Sequence, residues 1–176
     1  MIVVANSGPL MALGKLGLLE LLPRLYGQVR LPTAVHTEVV VRGGKWGYPD
    51  AFLTQVAIQR GQLVVVEVSD AELLPDIAAL PLDTGEKQTL HFALRDKADL
   101  VLLDDLKARE EAQTLGLAVK GTLGVIAQAY RTGLLQLDEV QTIIEAIIAR
   151  DDIWIAEGLC RQVLARLKTQ STEEQA

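Results

Sequence analysis

The stretch DLVLLDDLKAREEAQTLGLAVKGTLGVIAQAYRTG, residues 99–133, decides the fold. Its apolar run at 100–103 is typical of a buried strand, and the segment after it has the pattern of a helix that ends at Gly116. A second apolar run at 117–120 predicts another short strand, and another helical segment follows it. Short apolar strands that alternate with helices are typical of an α/β fold with a parallel sheet.

The same alternation extends toward the start of the chain, and it stops after residue 133. Three earlier apolar runs predict strands at 2–5, 28–32 and 62–68. Apolar residues at helical spacing in 137–168 predict two C-terminal helices instead of further strands. We therefore predict one domain over residues 1–168, followed by a polar tail, 169–176, that we expect to be disordered.

Composition narrows the classes of function. The chain has 176 residues, of which 49% are hydrophobic and only 4% aromatic, so an aliphatic core around a buried parallel sheet is expected. A net charge of −6 argues against a protein that coats nucleic acid non-specifically.

Cys160 is the single cysteine, which excludes an intrachain disulfide and a thiolate zinc cluster. Without a signal-peptide pattern or an apolar run of about 20 residues, we expect a soluble cytoplasmic protein with no membrane contact.

Polar side chains follow the predicted strands at their carboxyl ends, where α/β proteins place their sites. These residues are Asn6, Ser7, Glu38, Asp83, Glu86, Asp104, Asp105, Gly121 and Thr122. Carboxylate and amide oxygens are the ligands that Mg²⁺ and Mn²⁺ prefer. Such ions polarise a phosphodiester and generate a hydroxide nucleophile. The pattern therefore predicts a divalent-cation site for phosphodiester chemistry.

The same residues also fit purely structural roles. Asp83 and Glu86 have the spacing of a capping box, and Glu38 fits an ordinary exposed helical position. The pair Asp104–Asp105 can cap the next helix, although two adjacent acids directly after a buried strand favour function. Glycine-rich nucleotide-binding motifs and a nucleophile elbow are absent from the sequence, which leaves the acidic constellation as the candidate site.

Basic and aromatic residues suggest contacts with nucleic acid. Lys107 and Arg109 lie just after the two aspartates, where they can meet phosphates or simply pair with neighbouring acids on the surface. The predicted loop 42–50 mixes basic residues with Trp46 and Tyr48. It fits either the stacking of a base or an interface with a partner protein.

Four segments, in this order, closely resemble the PIN-like domains. They are VVANSGPLMALGKLGLLELL (3–22), LPTAVHTEVV (31–40), LDTGEKQTLHFAL (82–94) and ADLVLLDDLKAREEAQTLGLAVKGTLGVI (98–126). The resemblance covers about residues 1–165. It is most specific to a branch that opens with Asn or Asp, Thr or Ser, Ser, Pro and Leu.

The resemblance implies a three-layer α/β/α fold with a central parallel sheet. It also implies a Mg²⁺- or Mn²⁺-dependent ribonuclease, because many members have that activity and some are toxins paired with an antitoxin protein. The family's four acidic positions fall on Asn6, Glu38, Glu86 and either Asp104 or Asp105, with Asp105 preferred. RNA is then the expected partner, a homodimer the expected assembly, and the predicted RNA contacts are Ser7, Lys107, Arg109 and Thr122.

This sequence departs from the family pattern at Asn6, where nuclease-competent members usually have aspartate. An amide oxygen can ligate a cation, but it carries no charge and cannot act as a general base. Two hypotheses follow. The first is a metal-dependent ribonuclease of the PIN type. The second is a catalytically weak or inactive PIN-like module that binds RNA or a protein partner.

Overall fold

Five parallel strands form the central sheet in the computed structural model, which describes residues 1–174. The strands are β1 Val3–Ala5, β2 Val29–Pro32, β3 Leu63–Val66, β4 Leu100–Leu102 and β5 Val119–Lys120. Their order across the sheet is β3-β2-β1-β4-β5, and every neighbouring pair is parallel. The predicted α/β class with a parallel sheet is confirmed.

The strand order reverses at β1 and β4. Val3 of β1 is aligned with Val29 of β2 on one side and with Leu100 of β4 on the other. The chain thus adds β2 and β3 in one direction from β1, and then β4 and β5 in the other. A crevice at the carboxyl ends of the strands is expected where the direction changes, so the ends of β1 and β4 are the place to look for a site.

Helices flank the sheet. Those of the first compact unit, Met1–Thr122, are α1 Ser7–Lys15, α2 Leu21–Tyr26, α3 Thr33–His36, α4 Gly43–Lys45, α5 Pro49–Gln59, α6 Pro75–Ala78, α7 Thr84–Arg95 and α8 Leu106–Thr114. Leu90 and Ala93 of α7 and Ala108 of α8 pack in one apolar cluster with Val4 and Val101 of the strands. Both strand residues are fully buried. The strands of a parallel sheet are covered on both faces, which explains why their sequences are near-continuous apolar runs.

For the segment between β2 and α5, the sequence predicts a helix opened by Pro32 and then a loop at 42–50, and the structure differs from this prediction. The helix α3 changes into a π-helical turn, Thr37–Arg42, which continues directly into the short α4. Gly43 is buried there, and a Cβ placed on it would lie 3.0 Å from Cβ of Ala51. The absence of a side chain at Gly43 therefore lets this segment pack closely against α5.

The local sequence predicts Ser7 or Gly8 as the cap of the first helix and places Pro23 near the end of the helical segment that follows, and the structure corrects both details. Asn6, and not Ser7 or Gly8, is the N-cap of α1, although Pro9 does lie in its first turn. Pro23 lies in the first turn of α2 and not near its end. Both prolines are tolerated because the first N–H groups of a helix have no partner within it.

The second compact unit begins at Leu123. The helix α9, Thr122–Arg131, starts at the last residue of the first unit, and it is followed by α10, Leu137–Ala149, and α11, Glu157–Glu174. The two predicted C-terminal helices are confirmed. The polar tail predicted from residue 169 is helical as far as Glu174, and its last two residues lie outside the described part of the chain.

The prediction of a single domain over residues 1–168 stays a prediction. Among residues 1–174, no helix combines the length and the apolar content that crossing a bilayer requires.

Candidate functional site

The site lies where β1 and β4 end. Asn6 follows β1 directly, and its backbone N–H donates a hydrogen bond of 3.0 Å to the carbonyl of Leu102, the last residue of β4. Asp104 follows β4 after one more residue, and a Cβ placed on Gly8 would lie 3.3 Å from its Cβ. The first turn of α1 therefore packs directly against the segment that carries the two aspartates.

Asn6 holds a buried oxygen with no hydrogen-bond partner. Its side chain makes no capping bond, and Oδ1 is unpaired among the described residues. A Cβ placed on Gly85 in the first turn of α7 would lie 3.2 Å from this Oδ1 and 3.4 Å from Oδ1 of Asp83. A buried acceptor without a partner costs about 1–3 kcal/mol, so Oδ1 of Asn6 is suited to a water or a cation from outside the chain.

The capping box predicted as the structural alternative for Asp83 and Glu86 is present. The N–H of Glu86 donates to Oδ1 of Asp83 at 2.7 Å, and the N–H of Asp83 donates to Oε2 of Glu86 at 3.0 Å. Because Oδ1 of Asn6 and Oδ1 of Asp83 both lie close to Gly85, this box forms one wall of the site. Capping and a role in the site are therefore compatible for Glu86.

Other acids act on Glu86 electrostatically. Burial raises the pKa of the Glu86 carboxyl, and the hydrogen bond from Asp83 opposes that rise. The negative charges of nearby carboxylates raise the pKa further, and they belong to Asp83, Asp105 and Glu38. The structure thus brings Glu38 and Asp105, which lie far from Glu86 in the sequence, into its neighbourhood.

Asp104 is anchored inside the protein by Thr122. Its Oδ1 accepts a hydrogen bond of 2.7 Å from the N–H of Thr122, and its Oδ2 accepts one of 2.6 Å from the Thr122 hydroxyl. Burial raises the pKa of Asp104, and the two bonds from Thr122 and the positive charge of Arg109 oppose that rise. Thr122 is fully buried, so its hydroxyl serves Asp104 within the protein.

Asp105 caps a helix and is exposed. Its Oδ1 accepts a hydrogen bond of 2.9 Å from the N–H of Ala108, in the first turn of α8. Of the two adjacent aspartates, Asp105 is therefore the cap, and its charge is also the one that acts on Glu86. Asp104 is less exposed, and both of its carboxylate oxygens are bonded to Thr122.

The remaining predicted residues lie in different surroundings. Ser7 is buried in the first turn of α1, and Lys107 is exposed on α8. Arg109 is half-buried, and its Nη1 would lie 3.4 Å from a Cβ placed on Gly121. We did not predict from the sequence that Arg109 would act on Asp104. Nor did we predict that Gly8, Gly85 and Gly121 would each press against a polar member of the site.

The residues fit a hydrated divalent cation better than a tight metal cluster. Within residues 1–174, no three His, Cys, Asp or Glu side chains form a ready-made metal site. Mg²⁺, however, keeps several of its waters and needs only one or two direct carboxylates. The unpaired Oδ1 of Asn6, together with the mutually repelling carboxylates around Glu86, supplies oxygen ligands and the negative charge that a cation neutralises.

A family model described as DUF3368: PIN domain matches residues 2–169 of the chain. No curated protein matches the chain significantly.

Proposed function

Because the chain belongs to the PIN domain family, whose members are nucleases that generally use divalent metal ions, we propose that it is a Mg²⁺- or Mn²⁺-dependent ribonuclease. One observation carries the proposal above all others. The buried Oδ1 of Asn6 has no partner in the described part of the chain, at the point where β1 meets the first turn of α7. An unpaired buried oxygen beside an acidic side chain is an oxygen ligand that a cation can bind.

The residues around this oxygen would have different roles, some binding the cation and one supporting the site. Asn6 and Glu86 would hold the cation, with Glu38 and Asp105 supplying further oxygen atoms directly or through water. Such a cation polarises the phosphoryl group, activates a water and stabilises the leaving oxygen. Asp104 would keep the first turn of α1 and Thr122 in place, because it contacts Gly8 and is bonded to Thr122.

The acidic character of the site explains why a cation is needed at all. Carboxylates that raise the pKa of Glu86 would also repel the phosphates of RNA. A bound cation offsets that repulsion and makes an acidic pocket attractive to an anionic polymer. Lys107, exposed on α8, would contact a phosphate, and Arg109 would do so beside Asp104.

Asn6 sets the strength of the proposed activity. With an amide in place of a carboxylate, the site has one negative charge fewer for the cation. We propose that this weakens cation binding without abolishing it, so that cleavage requires Mn²⁺ or Mg²⁺ at millimolar concentration. The missing charge is also the observation that favours the second candidate function, a PIN-like module that binds RNA or a protein without turnover.

The resemblance to toxins leads to three further proposals. The ribonuclease would be the toxin of a toxin–antitoxin pair, it would act in the cytoplasm, and it would form a homodimer. If a small gene lies next to this one, co-expression with its product, followed by light scattering, tests for both an antitoxin complex and a homodimer. A stable complex that suppresses cleavage supports the pairing, and a concentration-independent monomer with no complex contradicts it.

The direct test of the proposed function is cleavage of an RNA by the purified full chain with and without Mn²⁺. The Glu86→Gln variant should lose about 10- to 100-fold or more in rate, since it removes the charge of a proposed ligand and even substitutions of a ligand's partners cost about 10- to 100-fold. Glu67→Gln is a matched control, because Glu67 is an exposed acid directly after β3 and does not act on Glu86. Wild-type protein that cleaves no RNA in millimolar Mn²⁺ would refute the proposal.

A loss of folding cannot explain a loss of activity in Glu86→Gln if the variant is as stable as the wild type. Folding raises the pKa of Glu86 above its ordinary value of 4.5. The ionised carboxylate therefore costs stability, and this cost grows as the pH rises from 4.5 to the raised pKa and then stays constant. Removing the charge should raise the free energy of unfolding at pH 7, which urea denaturation measures.

A further inference from the structure

Aromatic side chains are concentrated on one short segment near the site. The chain has only seven aromatic residues, and three of them are Trp46, Tyr48 and Phe52. All three are exposed, with exposed fractions of 76% for Trp46, 49% for Tyr48 and 69% for Phe52. Single exposed apolar residues are normal on a protein surface, but a local group of large rings marks a binding surface.

The same segment carries positive charge. The exposed charged residues between 41 and 53 are Arg42 and Lys45, since Asp50 is buried. Neither Arg42 nor Lys45 forms an ion pair with any residue in the described part of the chain. In a chain with a net charge of −6, this segment is therefore a local cationic and aromatic surface.

The segment is held in place by close packing between the first turn of α5 and α1. Pro49 and Asp50 open α5, and Asp50 is almost completely buried. A Cβ placed on Gly14 of α1 would lie only 2.6 Å from Cβ of Asp50, so the first turn of α5 sits directly on α1. Rings held by such packing lose less conformational freedom when a ligand binds than rings on a loose loop would.

The aromatic surface is continuous with the acidic site. A Cβ placed on Gly43 would lie 3.8 Å from Cδ2 of Tyr48 and 4.0 Å from the carbonyl oxygen of Glu38. The Tyr48 ring thus lies beside the backbone of the π-helical turn that carries Glu38. A polymer in contact with the rings would have a short path to the acids around Glu86.

We propose that this surface, made of Arg42, Lys45, Trp46, Tyr48 and Phe52, binds single-stranded RNA by stacking its bases and pairing its phosphates. Aromatic rings interleaved with cations are the chemistry that recognises unpaired nucleic acid, because every base has a face to stack and every nucleotide a charge. The choice of RNA as the polymer rests on the proposed ribonuclease function. Stacking would hold the strand next to the acidic site.

The test is binding of a fluorescein-labelled 12-nucleotide oligouridine to the full chain, measured by anisotropy in EDTA so that no cleavage occurs. Trp46→Ala and Phe52→Ala should each weaken binding about fivefold or more, as the loss of one stacked base does. Trp46→Phe should retain most of the affinity. Trp154→Ala is the matched control, because Trp154 is even more exposed, at 90%, but lies in the second unit.

The two cations give an independent readout. The double variant Arg42→Ala/Lys45→Ala should reduce the slope of log Kd against log salt by about 1.4, or 0.7 for each phosphate contact on a single strand. An unchanged slope would overturn their role as phosphate contacts.

The inference and the proposed function can fail separately. No RNA binding by the wild type in EDTA, or equal binding by Trp46→Ala, overturns the stacking surface even if the protein cleaves RNA. Binding through the surface without cleavage in Mn²⁺ supports the inference and refutes the ribonuclease. If Trp46→Ala and Phe52→Ala instead change the oligomeric state in light scattering and leave RNA affinity intact, the surface is a protein interface and the inference is wrong.

Discussion

Thr122 donates two hydrogen bonds to the single carboxylate of Asp104, one from its backbone N–H and one from its hydroxyl. The first helical residue of α9 thereby fixes the acid that follows β4. Because Asp104 also packs against Gly8, these two bonds connect Thr122 to the first turn of α1 at the edge of the site. The arrangement predicts that Thr122 matters for stability, in addition to the RNA contact that the sequence predicts for it.

The variant Thr122→Val keeps the backbone bond and removes the hydroxyl. It leaves Oδ2 of Asp104 without its 2.6 Å partner in a largely buried place, so the free energy of unfolding should fall by about 1–3 kcal/mol. Thr122→Ser retains a hydroxyl and should lose much less. Urea denaturation of both variants checks this, and equal stability of Val and Ser would count against the bond.

Gly121 should tolerate no side chain. A Cβ placed on it would lie 2.8 Å from Oδ1 of Asp104 and 3.3 Å from the carbonyl oxygen of Leu103. Gly121→Ala should therefore destabilise the fold by about 1–3 kcal/mol, as overpacking does. Gly44→Ala is its control, because nothing lies within 4 Å of a Cβ there. A melting temperature of Gly121→Ala equal to that of Gly44→Ala would contradict the close approach.

His91 should make the fold sensitive to acid. Its Nδ1 accepts a hydrogen bond of 3.2 Å from the N–H of Leu74, and its Nε2 is buried with no partner among the described residues. Burial lowers the pKa of His91 below its ordinary 6.5, and the charge of Arg95 lowers it further, against the opposing charges of two acids, Glu72 and Asp96. The folded state therefore favours the neutral ring.

The sign of the pH effect follows from this lowered pKa. Well above pH 6.5 the ring is neutral in the folded and the unfolded state, so it makes the free energy of unfolding no different. As the pH falls through 6.5, the unfolded chain takes up a proton before the folded protein does. The free energy of unfolding therefore decreases. The decrease ends once the pH is below the lowered pKa of the folded state. Urea denaturation of wild type and His91→Gln between pH 7 and pH 5 measures it, and parallel curves for the two proteins would rule it out.

Much of the fold can be predicted from local sequence. The apolar runs ended by polar residues fixed the five strands to within a few positions, because buried strands of a parallel sheet have few other patterns. The π-helical turn after α3 could not be predicted in this way. The turn is followed by Gly43, which packs closely against Ala51, eight residues further along the chain, and neither feature leaves a periodic signal in the sequence.

The candidate site, too, could be predicted from the sequence only in part. That Asn6, Glu86 and the two aspartates follow strands or begin helices was visible in the sequence. Which aspartate serves which purpose was not, because Asp104 and Asp105 fit the same pattern. The two are distinguished by Thr122, which follows the neighbouring strand β5 and bonds Asp104, and by Ala108, whose N–H bonds Asp105.

The central claim is that Asn6 is a cation ligand of a working but weakened ribonuclease site, and the Asn6→Asp variant tests it most directly. Replacing the amide by a carboxylate adds a full negative charge beside the proposed cation, and a gain of 1.4 kcal/mol is tenfold in affinity. RNA cleavage by both proteins is measured while Mn²⁺ is titrated. We predict that the Mn²⁺ concentration for half-maximal cleavage falls about tenfold or more in Asn6→Asp. The same half-maximal concentration in both proteins, or no cleavage by either, would contradict the claim.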